Sequence, residues 1–191
     1  MPLKRVLRWS QRFFLAIAVS MLAWCGYVLA DAWSFQRTEG RQLEALPSGR
    51  IDTAVAVLAP ATGGLVGRID IPRLSLSVVV IEGTGSAALR RAAGHISGTA
   101  MPGQRGNMAI SAHRDTFFRP LRNIRKGDVI TVTTREREYR YGVLSTHIVM
   151  PSNVAVLQSD GRELLTLVTC YPFYFVGAAP GRFIVQAERL K

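Results

Sequence analysis

The segment FFLAIAVSMLAWCGYVLA, from Phe13 to Ala30, carries no charged side chain. As a helix it is about 27 Å long, close to the hydrocarbon thickness of a bilayer. Lys4, Arg5, Arg8 and Arg12 precede it, with no acid among residues 1–12. By the positive-inside rule this basic end stays in the cytoplasm and residues 31–191 are exported. A cleaved signal peptide is the competing reading, because Val28-Leu29-Ala30 offers small or modest side chains where a peptidase would act. The run exceeds the roughly 7–15 residues of a usual signal core, which favours an uncleaved signal anchor. No later segment repeats such a run, so a single-pass bacterial membrane protein with its soluble part outside the cytoplasm is expected.

Charge needs reading against that anchor. The chain holds 24 Lys+Arg against 13 Asp+Glu, a net +11. Such a balance usually prompts a nucleic-acid reading. Here the mean hydropathy is +0.16, and four of the basic residues belong to the topology signal. The rest are scattered as single arginines and pairs such as Arg90-Arg91, without a polybasic tract. Nucleic acid is therefore not expected as a partner, although a basic envelope module without enzymatic activity stays open as an alternative. The composition excludes a disordered chain, a collagen-like repeat and a disulfide-stapled miniprotein.

Residues 1–12 read as a cytoplasmic tail, 13–30 as the anchor, 31–65 as a stem and 66–191 as one compact domain. In the stem, Asp31–Leu46 can continue the membrane helix, with Trp33 as an interfacial anchor, until Pro47-Ser48-Gly49 breaks it. Beyond the stem the punctuation is β-like. Strands are expected at Val66–Ile71, Leu74–Ile81, Met108–Ala112, Asp128–Thr134, Glu138–Val149, Leu164–Thr169 and Phe183–Glu188. Ser86–Ala93 reads as a short helix capped by its serine. Seven or eight short strands with few small helices predict an all-β domain, a closed or nearly closed barrel.

Two cysteines exist, Cys25 inside the apolar run and Cys170 in the exported domain. They cannot pair within one chain, so Cys170 is a lone thiol in an oxidising compartment. It is either a buried packing residue or a reactive one. His113 and Cys170 both sit at expected strand ends, and Arg182 opens the last strand. A histidine can help a cysteine to its thiolate and later give a proton to a leaving amine. A guanidinium beside them suits a thiolate or an oxyanion. Such a trio by spacing alone is common, and the residue types do not single it out.

The surrounding residues do. Thr166-Leu167-Val168-Thr169-Cys170 matches the TLxTC signature of sortases, membrane-anchored cysteine transpeptidases. GNMAISAHRDTFFRPL, from Gly106 to Leu121, resembles the histidine segment of that family, and Arg182-Phe183-Ile184-Val185 resembles its arginine strand. Order and separation agree as well: histidine first, cysteine well downstream, arginine shortly after the cysteine. Cys170-Tyr171-Pro172-Phe173 with the run VGAAPGRFIV looks most like the class D branch. The resemblance implies the sortase eight-stranded β-barrel behind an N-terminal transmembrane helix. It implies Cys170 as nucleophile toward an LPXTG-like sorting signal on an exported protein, His113 as the group that protonates the leaving amine, and Arg182 as the support of both. It further implies transfer to an amine of a peptidoglycan precursor or pilin, with no cofactor and no metal. A hydrolytic Cys-His endopeptidase uses the same nucleophile and remains the nearest alternative.

Four further residues are candidates for the substrate groove, each with a plainer reading beside it. Asp115 can orient the imidazole or form a turn. Thr169 can line the groove or simply suit a strand. His95, in a family-like Gly94-His95 stretch, can serve the cleft or the structure. Tyr171 opens the aromatic loop that runs to Gly181, which can receive a peptide side chain or cover the core. His147 is expected to be a surface or packing residue. The tripeptide Asp31-Ala32-Trp33 lacks the proline of the lid found in pilin-polymerising relatives, which argues against a lid here.

Overall fold

The computed structural model describes residues 2–44, 59–175 and 177–190. The expected break at Pro47-Ser48-Gly49, and Val176 at the head of the last glycine-rich run, lie outside the described residues. A helix α1 (Pro2–Glu44) carries the apolar run and continues well past it. Its Val6–Arg41 portion is long and apolar enough to cross a membrane, and the most apolar window there is unburied. A helix apolar on all sides and covered by nothing matches a bilayer rather than water.

The remaining elements close into a barrel. The strands are β1 (Leu65–Ile71), β2 (Leu76–Glu82), β3 (Ala93–His95), β4 (Gly106–Ser111), β5 (Val129–Thr133), β6 (Glu138–Val149), β7 (Glu163–Tyr171) and β8 (Gly181–Arg189). Their order around the barrel is β1-β2-β3-β4-β7-β8-β6-β5, and β5 pairs with β1 to close it. Two of the contacts are parallel, β2 with β3 and β4 with β7. The inward face follows the two-residue period: Met108, Ile110 and Ala112 from the β4 side meet Leu165 and Leu167 of β7 and Val185 and Ala187 of β8 in one core.

Several strand limits differ from those expected. Leu74 belongs to a 3-10 turn over Pro72–Leu74, so β2 starts later, at Leu76. That turn ends on Ser75 in the left-handed region at φ 50°, a conformation that reverses the chain between β1 and β2. The short helix α2 (Ser86–Arg91) forms, but Ser86 does not cap it. Gly85 holds the cap position in an extended conformation and no side chain bonds the helix start.

A smaller apolar patch on the outer face of β2 takes up α1 and α2. Val79, Ile81 and Ala92 are buried there, with Phe35 of α1 and Ala88 of α2 packed on them. Polar bonds fix the same contact. Gln36 Oε1 accepts from Val79 N at 2.8 Å, and its Nε2 donates to Arg91 O at 2.7 Å. Asp31 takes both Nε and Nη2 of Arg91 at 2.6 and 2.9 Å. The helix that leaves the apolar run is thus docked on the barrel rather than simply linked to it.

His95 is the last residue of β3 and stands opposite Glu82 in the β2–β3 register. It is fully buried, with Nδ1 2.6 Å from Glu82 Oε2 and Nε2 3.0 Å from Ala100 O. Glu82 Oε1 also accepts from Ser97 Oγ at 2.6 Å. This closed set ties β2, β3 and the connection to β4 together, and it leaves no ring nitrogen facing a cleft. Of the two roles expected for His95, the geometry fits the structural one. Removing one partner of such a buried pair is costly because the other keeps its polar groups without water. Glu82→Ala is expected to destabilise the barrel by about 3 kcal/mol, read from the denaturant midpoint. Activity per folded molecule should stay unchanged.

Candidate active site

Three adjacent strands build the site. β7 lies between β4, its parallel neighbour, and β8, its antiparallel one. Cys170 is therefore within β7, not after it, and stands directly across from Arg182 of β8. On the other side, Ser111 of β4 is level with Val168. The pairing carries on past β4, with Ala112 N donating to Val168 O at 3.2 Å. His113 is the next residue, at the end of the sheet where Cys170 stands.

Parity decides which way the side chains go. Met108 and Ile110 of β4 and Ala112 just after it enter the core, with Leu165 and Leu167 of β7 and Val185 and Ala187 of β8. Successive side chains alternate across a sheet. Cys170 of β7 and Arg182 of β8 therefore fall on the outward face, and His113 follows two residues beyond β4, at the same end of the three neighbouring strands. Cys170 and Arg182 are half-buried and His113 is exposed. The Arg182 Nη1 donates to Gly181 O at 3.0 Å and reaches Ala179 O at 3.4 Å, so the guanidinium lies on the stretch that enters β8.

A cavity of about 690 Å³ opens beside His113. Leu29 and Trp33 of α1, Leu89 of α2, and Thr116 and Phe117 after His113 form much of its wall. Trp33, expected at the membrane interface, thus faces the barrel's histidine segment while Arg37 stacks over its ring at 3.6 Å. Asp31 of the same tripeptide is committed to Arg91.

The other candidate residues separate from the trio. Thr169 points inward and is buried, its Oγ1 donating to Ala112 O at 2.7 Å. It pins the histidine segment to β7 instead of lining a groove. Asp115 is exposed and accepts from the neighbouring Arg114 Nε at 3.3 Å, with no bond to the His113 ring. Tyr171 has the inward parity of Thr169. Its ring lies nearly parallel to that of Phe183 at 6.5 Å and meets Phe173 edge-on at 6.3 Å, so these aromatics close the end of the core. In the same loop Tyr174 and Phe175 are exposed. His147 sits on the outer face of β6, its Nε2 2.9 Å from Ser145 Oγ.

One residue at the site went unremarked in the sequence. Arg114, between His113 and Asp115, is buried and spends its guanidinium on the loop between β7 and β8. Nη1 donates to Pro172 O at 3.0 Å, and Nη2 to Phe175 O and, at 3.3 Å, to Gly177 O. No local pattern marks an arginine as buried when its partners are backbone carbonyls far along the chain. Among the described residues no cluster of His, Cys, Asp or Glu is arranged to hold a metal ion.

Comparison with known proteins gives the constellation a context. Residues 69–190 match the family model described as the sortase domain. Sortase D of Bacillus subtilis (strain 168) is 34% identical over 137 residues, covering 71% of this chain and 69% of its own length. Sortase A of Bacillus anthracis is 30% identical over 110 residues, or 56% of this chain and 52% of that protein. Among solved structures, a Clostridium perfringens sortase D5 transpeptidase superposes with a TM-score of 0.63 at 26% identity, covering 81% of this chain and 88% of that one. The SrtA sortase from Actinomyces oris gives 0.65 at 29% identity, covering 74% and 88%.

Proposed function

Because this chain belongs to the sortase family of cysteine transpeptidases, we propose that it cuts an LPXTG-like sorting signal on exported proteins and passes the acyl group to an envelope amine. Cys170 is the nucleophile. Its thiolate adds to the scissile carbonyl, the amine leaves with a proton from His113, and a thioester on Sγ remains. The incoming amine gives its proton to His113 as it displaces the thiol. Arg182, opposite Cys170, offers positive charge where the thiolate and then the oxyanion carry negative charge. The observation that supports this reading is the register pair Cys170 and Arg182 on β7 and β8, with His113 two residues beyond the neighbouring β4 at the same end of the sheet.

The same proposal gives the chain a topology. Residues 1–12 stay in the cytoplasm, α1 crosses the membrane once, and the barrel stands outside, held close to the bilayer by its contact with α1. Amine acceptors of two kinds fit the chemistry, a peptidoglycan precursor and a pilin.

The test is a panel of sorting-signal peptides varied at the last two motif positions, each incubated with and without triglycine or diaminopimelate. Transpeptidation predicts that the added amine appears in the product, identified by mass, at the expense of the free acid. An endopeptidase would release the same acid whatever amine is present. Cleavage of no peptide in the panel would reject the proposed substrate class.

A further inference from the structure

We propose that Arg114 is a positioning residue of this site, a clamp through which the histidine segment sets the shape of the loop that follows the nucleophile. The proposal rests on the functional reading above for the reaction but not for the clamp itself.

Its side chain is only 6% exposed, whereas that of its one carboxylate neighbour, Asp115, is 69% exposed and 3.3 Å away. An arginine is seldom buried without a close acidic partner, since desolvating its charge is costly. Here the acidic partner is a single solvent-exposed carboxylate at Nε, and three carbonyl oxygens of one loop, from Pro172, Phe175 and Gly177, take the rest of the fork. The guanidinium also lies 5.9 Å from the Phe175 ring centre. An apolar side chain would fill the same space at lower cost. What arginine adds is geometry: a rigid planar fork that holds separate points of the loop in a fixed relation.

The position of the fork explains the consequence. Arg114 follows His113 directly, and its partners begin at Pro172, just beyond Cys170. The loop 172–180 then leads to Arg182. One side chain therefore couples the segments that carry all three site residues. Tyr174, at the tip of the loop, is 86% exposed. A peptide bound across the outward face would meet this loop as a wall. Without the clamp the wall must be ordered by the substrate, which weakens binding and leaves the chemical step intact.

The experiment compares full-length protein in detergent carrying Arg114→Lys or Arg114→Gln, in a Cys25→Ser background so that Cys170 is the sole thiol. Lysine keeps the charge but cannot span three carbonyls. Both variants are expected to raise KM for a sorting peptide about tenfold, with kcat within about threefold of the parent. Chymotrypsin should cut after Tyr174 or Phe175 about tenfold faster, reporting the freed loop. Alkylation of Cys170 by iodoacetamide should stay within about twofold, because the thiol's own surroundings persist. A merely structural arginine would lower kcat through loss of folded enzyme and leave KM alone. The clamp is overturned if KM is unchanged in both variants, if lysine restores parental KM, or if the loop is cut no faster. Should the parent itself process no sorting peptide, the functional reading falls, and the proteolysis ratio alone decides the clamp.

Discussion

Cys170→Ala is expected to remove transpeptidation down to background, a loss of at least about 10⁴-fold in kcat, while leaving the barrel folded. The loss follows from the reaction. No second thiol lies on the outward face of β4, β7 and β8 to form the acyl bond, and Cys25 is in the apolar helix. The tolerance follows from the structure. Cys170 is half-buried and its face is not the core face, so removing one sulfur opens no internal cavity. Cys170→Ser is the sharper version, because it keeps the volume and a hydroxyl. An alcohol ionises far less readily than a thiol near neutral pH, so serine should be nearly as inactive. Product mass and thermal melting are read together. A variant that melts like the parent and still transfers at the parental rate would remove Cys170 from the mechanism. The companion Cys25→Ser should keep full activity.

Period-two patterning made most strands legible, because each has one face on a single core. Glu138–Val149 has the limits expected, its first residues paired with β5 and Tyr141–Val149 with β8. β7 was expected to end at Thr169, yet its ladder runs on to Tyr171 opposite Gly181. The extra residues, Cys170 and Tyr171, stand against Pro172, whose turn signal marks the strand as ended before them. What holds them in the sheet is β8, a partner the chain reaches only after the aromatic loop.

The site was legible through the motifs around its residues and their order more than by placement. His113 and Cys170 come to the same end of the barrel because β4 and β7 are neighbours, with β5 and β6 threaded in sequence between them but located elsewhere in the barrel. No spacing rule shows that crossover. The same kind of non-local pairing hid the partners of His95 and Arg114. Glu82 reaches His95 across a parallel register, and three loop carbonyls reach Arg114 across β4 and β7. Gln36 is a third case: a polar residue on a helix that looked like stem bonds both β2 and the end of α2. In each, a polar side chain is taken up by backbone or by a buried partner distant along the chain or in another element.

His113→Ala and Arg182→Ala should both be severely impaired, and the leaving group should tell their roles apart. On a peptide amide the departing amine is a poor leaving group unless protonated. Loss of the proton donor is therefore expected to cost about 10²–10⁴-fold in kcat/KM. Loss of the guanidinium should cost about 10²–10³-fold by exposing the developing oxyanion and the thiolate to weaker stabilisation. A matched depsipeptide, with the scissile amide replaced by an ester, leaves as an alcohol and needs much less help from an acid. Part of the His113→Ala defect should disappear on that substrate. The Arg182→Ala defect should persist, since the tetrahedral intermediate carries the same negative oxygen whichever group departs. Arg182→Lys should recover little, because an ammonium cannot keep the bond to Gly181 O and also face Cys170 with a planar fork. The measurement is the ratio of kcat/KM on ester and amide for each variant. Equal ratios for His113→Ala and the parent would strip His113 of its acid role, and ester rescue of Arg182→Ala would place the arginine at the leaving group instead of the oxyanion.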